Sequence, residues 1–93
     1  MCGGVGETRD ATNEIQQIAD SVKSHVLTSK NLHPYKAISY KSQVVAGINY
    51  FIKVEIDGEY LHLRVFCPLG ENPQHVLSRH QESHTRDSEI CYF

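Results

Sequence analysis

Three cysteines and six histidines in a chain of 93 residues are the side chains with the most reactive chemistry. Cys67 with His75, His80 or His84 supplies the parts of a thiolate and its base, because a histidine within hydrogen-bond reach activates a cysteine as a nucleophile. The surrounding sequence does not complete such a site. No nucleophile motif, orienting third group or oxyanion-stabilising segment accompanies these residues, and a chain this short buries only about 60–65% of its unfolded surface, too little for a deep pocket. Metal chemistry is no better served. No Cys-x-x-Cys or His-Glu-x-x-His spacing occurs, and His80 and His84 fall in a strand and loop rather than on one helix face. The expectation is a protein that is not an enzyme and uses no metal or cofactor, with His75, His80 and His84 as surface residues on or near a late strand.

Cys2, Cys67 and Cys91 are odd in number, whereas small secreted frameworks use even numbers of cysteines. They read as free thiols in a reducing compartment, with Cys2 on an exposed tail where air oxidation would link two chains. Nine Lys and Arg balance eleven Asp and Glu, and the basic residues are scattered from Arg9 to Arg86. That distribution argues against nucleic acid or an anionic membrane as partner, since either requires a basic face. No apolar window of about 18 residues is present for a membrane span. The first residues, Met-Cys-Gly-Gly-Val-Gly, lack the charged and apolar regions of a signal peptide. A cytoplasmic location follows as the expectation.

These residues need elements to position them. Residues 1–9, with Gly3, Gly4 and Gly6, show no periodicity and read as a flexible N-terminal trunk to a single domain spanning 1–93. From Thr12 onward Ile15, Ile18, Ala19, Val22 and Val26 recur at intervals of three and four, the stripe of an amphipathic helix, with Asp10 or Thr12 as its cap. Tyr50, Ile52, Val54 and Ile56 then alternate with polar residues, as in a strand with one face buried. Asp57-Gly58 signals a hairpin turn. Leu61, Leu63 and Val65 face one way in the next strand, Tyr60, His62, Arg64 and Phe66 the other. Pro68 and Pro73 break that strand, a weaker one follows around residues 76–82, and residues 89–93 read as a short last strand. The order gives an α+β fold: one helix across one face of an antiparallel sheet of four to five strands.

Alternate hairpin turns lie at the same end of such a sheet. Val44, Val45 and Ala46 in one turn and Pro68 and Leu69 in another therefore project together, away from Asp57-Gly58. Apolar tips side by side suggest a partner-binding edge, because a soluble monomer avoids contiguous exposed apolar patches. The plain alternative is that Val44 and Val45 pack back into the core as strand residues.

The motif Gln43-Val44-Val45-Ala46-Gly47 resembles the central inhibitory loop of the cystatins, and the chain around it is similar to the stefins, their intracellular single-domain branch. The likeness runs from Cys2-Gly3-Gly4 through Gln17-Ile18-Ala19-Asp20, Lys36-Ala37 and the stretch from Lys41 to Lys53. It continues in Leu61-His62-Leu63-Arg64-Val65-Phe66 and the closing Tyr92-Phe93. The resemblance implies a cystatin fold and reversible, tight-binding, competitive inhibition of papain-like cysteine proteases of the cathepsin type. It implies a three-part wedge: Gly3, with Gly4 beside it, in the trunk; Gln43, Val44, Val45, Ala46 and Gly47 in the first loop; Pro68 and Leu69 in the second. The chain departs from the stefin pattern in carrying Pro68-Leu69-Gly70 where stefins resemble Leu-Pro, and His80 where they are usually aromatic. The competing reading is a non-inhibitory interaction scaffold or a domain-swapped oligomer hinged at the first loop.

Overall fold

The computed structural model describes residues 6–26, 28, 32–70, 74–91 and 93. Among these, five strands form one antiparallel sheet in sequential order: Arg9–Asp10 (β1), Tyr35–Val45 (β2), Gly47–Ile56 (β3), Glu59–Pro68 (β4) and Val76–His84 (β5). A single α-helix, Asn13–Ser21 (α1), is followed by a 3₁₀ turn, Lys23–His25. The expected α+β arrangement is the one found.

Helix α1 starts where Thr12 accepts a hydrogen bond from the Ile15 N–H at 3.3 Å, satisfying one of the orphan donors of the first turn. Asp10, the other candidate cap, belongs to β1. The whole predicted stripe is buried, from Ile15 to Val26, against Ile52, Val54 and Ile56 of β3 and Leu61, Leu63 and Val65 of β4. Each fully buried aliphatic side chain contributes about 1.5–3 kcal/mol relative to exposure. Polar bonds set the helix position over β2: the Tyr35 hydroxyl donates to the Ala19 carbonyl at 2.8 Å, and Gln16 Oε1 accepts from the Ala37 N–H at 2.8 Å.

The other face of the sheet is also covered. Residues after β5 fold back across it, burying Ile90 and setting the Phe93 ring edge-on to Phe51, with centroids 5.9 Å apart. Lys53 Nζ donates to the carbonyls of Arg86 and Ser88 at 2.6 Å each, and Arg64 Nη1 to that of Phe93 at 2.9 Å. The expected strand over 89–93 is therefore corrected: none of residues 88–91 or 93 is in a strand, and Tyr92 lies outside the described residues. Ile90 and Phe93 are apolar because they pack on the sheet, not because they extend it. The fifth strand is instead β1, two residues long and too short to show a period.

Cys67 is a free, half-buried thiol. Cys91 is disulfide-bonded, which corrects the expectation of free thiols throughout. An odd cysteine count excludes complete pairing within the chain but does not exclude a disulfide. Cys2 lies outside the described residues.

Candidate functional site

Strands β2 and β3 are joined through Ala46 alone, with Val45 paired to Gly47. Val44 and Val45 thus belong to a strand, as the core alternative supposed, yet they are 82% and 44% exposed. Strand β2 runs on past the core and carries them into solvent.

Gly47 is what allows this reversal. Its φ is +130°, a backbone region that L side chains rarely adopt, and a Cβ built on it would lie 2.5 Å from the Cys67 carbonyl oxygen and 3.0 Å from the Phe66 ring. Conformation and space both demand glycine. Because Gly47 pairs with Pro68 in the register of β3 and β4, the tight fit also holds the second turn against the first. Pro68 ends β4, where its missing N–H costs no ladder bond within the strand, and Leu69 follows at 78% exposure. Ala46 is exposed and Gly70 has a φ of +122°.

Gln43 sits one step below the valines, opposite Asn49. Asn49 Nδ2 donates to Gln43 Oε1 at 3.2 Å, clamping the two strands under the turn. Asn49 is buried, and sequence reasoning placed it on an exposed face. On the other side of β2, the Gly6 N–H donates to the Ser42 carbonyl at 3.1 Å, while Arg9 and Asp10 pair with Tyr40 and Ser39. Followed backward from Asp10 to Gly6, the chain advances along β2 toward Val44. Gly3 and Gly4 lie outside the described residues.

The edge so built is uncharged: neither residues 42–50 nor residues 65–70 contain Asp, Glu, Lys, Arg or His. Burial pushes the Cys67 thiol up, the opposite of an activated nucleophile. The histidines considered with it are placed elsewhere. His75 Nδ1 is 2.9 Å from the Ser21 hydroxyl, and His80 and His84 pair with Leu63 and Tyr60, four and seven residues along β4 from Cys67. All three are partly exposed, on or directly before β5 as expected, and the His84 ring stacks on the buried His62 ring at 3.7 Å. Among the described residues no group of three or more His, Cys, Asp and Glu is placed to hold a metal ion, and no helix is long and apolar enough to cross a membrane.

Two side chains at this end were not among the expected site residues. Phe66 packs where a Gly47 side chain would go, and Val76, first in β5, is 50% exposed. The alternation around Phe66 was a usable signal for its face. Val76 lay in a strand whose alternation was too weak to give its direction.

One helix crossing a five-stranded antiparallel sheet, with apolar reversals gathered at one end, is the architecture of a cystatin module. The comparisons with known proteins agree: a cystatin domain matches residues 3–87. Over 97 aligned positions covering all of this chain, it is 46% identical to Cystatin-B of Homo sapiens and 47% identical to Cystatin-A1 of Sus scrofa, of which 99% and 94% are covered. The chain belongs to the cystatin family.

Proposed function

We propose that this chain is a reversible, tight-binding, competitive inhibitor of papain-like cysteine proteases of the cathepsin type, acting in the cytoplasm. Membership of the cystatin family, a family of cysteine-protease inhibitors, supports the class of activity. The observation that carries the site is the uncharged apolar edge on which Val44, Val45 and Leu69 stand exposed side by side. Such an edge blocks a cleft without chemistry. Val44, Val45 and Ala46 lose water against the cleft walls, Gly47 keeps the tip narrow, and Gln43 holds it in shape through Asn49. Pro68 and Leu69 form the second contact, and a trunk with Gly3 and Gly4 the third, glycine permitting close backbone approach.

Magnitudes require several contacts. Two valines contribute about 1.5–2 kcal/mol each when fully buried, whereas nanomolar affinity needs about 12 kcal/mol net of the cost of association. The test is titration of active papain and a lysosomal cathepsin. Stoichiometric loss of activity is expected, and Val44→Asp should weaken it by about 100-fold, the effect of presenting a carboxylate to an apolar wall, with little change in melting temperature. Full papain activity in a large excess of the protein would leave the scaffold reading in its place.

A further inference from the structure

We infer that Val76 is a further contact of this edge, meeting an apolar patch on the rim of the protease cleft to the side of the two turns. The inference rests on the inhibitor reading above and widens it by one strand. Among the described residues, the large hydrophobic side chains left exposed are Val44, Val45, Leu69 and Val76, and all four stand at the same end of the sheet. Three of them are at the reversals. The fourth is on a strand that neither reversal requires to be apolar at that position.

Register explains where it points. An irregularity between Arg64 and Val65 sets Leu77 opposite Val65, on the helix side, and Val76 opposite Phe66, on the far side. Directly opposed residues share a face of the sheet. Phe66 in turn lies against Gly47, so apolar surface continues from the first reversal across Phe66 to Val76. From β2 to β5 there are three inter-strand spacings of about 4.8 Å, so the edge is roughly 14 Å wide. Only its middle enters a narrow cleft; its β5 margin meets the rim.

Val76 also suits a role in binding because it is held in place. Its β-branched side chain has few rotamers, and its backbone is in the sheet. The residue before it, His75, is tied to Ser21 of α1 at 2.9 Å, and Ser21 donates to the Ile18 carbonyl at 2.6 Å. A side chain fixed before binding loses little freedom on association, unlike one in a turn.

The experiment compares wild type, Val76→Thr, Val76→Asp and Ser78→Asp by dissociation rate from papain, with thermal melts of each free protein. Ser78 is an exposed β5 residue two positions further from the edge, and controls for charge on this strand. Threonine keeps the shape and removes the apolar contact, so dissociation should speed up about 3- to 10-fold; aspartate should speed it about 30- to 100-fold. Ser78→Asp should dissociate like wild type, and all three variants should melt within a few degrees of it. Unchanged dissociation of Val76→Asp, or equal acceleration by Ser78→Asp, would overturn the inference while leaving the inhibitor reading intact. A wild-type chain that does not inhibit papain would instead overturn both.

Discussion

At one end of the sheet β3 turns into β4 through Asp57 and Gly58, with φ of 34° and 78°. At the other, β2 turns into β3 through Ala46, between an exposed valine and Gly47 at φ 130°. Both reversals do the same topological work. The first uses residue types that tolerate left-handed backbone and stay hydrated, and a Cβ at Gly58 would meet nothing within 4 Å. The second carries exposed valines and leaves no room at Gly47. Folding accounts for everything at the first reversal, but not for the apolar side chains at the second.

The ionisable groups divide the same way. Toward the Asp57 end gather Glu55 and Tyr60, the His62–His84 stack, Lys53, and Arg86 and Asp87 of the segment that folds back. At the opposite end, the two reversal segments, residues 42–50 and 65–70, contain no Asp, Glu, Lys, Arg or His. A single small sheet thus separates a titrating, internally bonded end from an inert apolar one, and a change at one end should be readable apart from a change at the other.

The largest effect should come from Gly47→Ala. The added methyl meets a backbone carbonyl, which cannot rotate away, and the backbone there is one that alanine disfavours. A loss of about 2–4 kcal/mol in urea unfolding is expected. Displacing β4 from β3 at their tips also separates the two reversals, so papain inhibition should weaken by about 100-fold or more. Unchanged unfolding together with unchanged inhibition would mean that the close fit is not what shapes this end.

The apolar end was legible because it breaks a rule that holds at the other: Val44 and Val45 stand out beside a turn, while Asp57-Gly58 is what a turn should contain. The helix was legible because its apolar stripe, from Ile15 in α1 to Val26 just after the 3₁₀ turn, meets a sheet of matching alternation. The far face was not. Asn49, Lys53 and His62 alternate with core residues and so read as a solvated face, yet all are buried. What covers them arrives from the end of the chain, and Phe51 between Tyr50 and Ile52 was an apolar residue on that face that pointed to it. Ile90 and Phe93 suggested a strand because local sequence reports that a segment is buried more directly than how its backbone is paired.

Acidification should act on the polar end through its buried imidazoles. His62 is buried and, among the described residues, its Nε2 has no hydrogen-bond partner; burial, then His84 and Lys53, push its pKa down to about 3, and burial and Lys53 lower that of His84. The unfolded chain, with ordinary imidazoles, binds protons first as pH falls. Stability is therefore complete above about pH 6.5 and is lost progressively toward pH 3, with a slope of about 1 kcal/mol per pH unit for one such group. Melting temperature should fall between pH 7 and pH 5 while the affinity for papain, measured at 25 °C, changes little. In His62→Phe, which keeps a ring against His84, the slope should flatten. A slope as steep in that variant as in wild type would place the titration elsewhere.

The smallest effect should come from Gly58→Ala, and it is the sharpest control. Space is open around Gly58, so only the intrinsic preference against φ 78° acts, worth about 1 kcal/mol. The urea midpoint should drop slightly with an unchanged slope, and papain inhibition should not move, because the turn lies at the far end of β3 from Val44 and Gly47. An inhibition constant weakened as much as in Gly47→Ala would show that strain at either reversal is transmitted through β3 and β4. The apolar end would then owe its shape to the whole sheet, and the division between the two ends would fail.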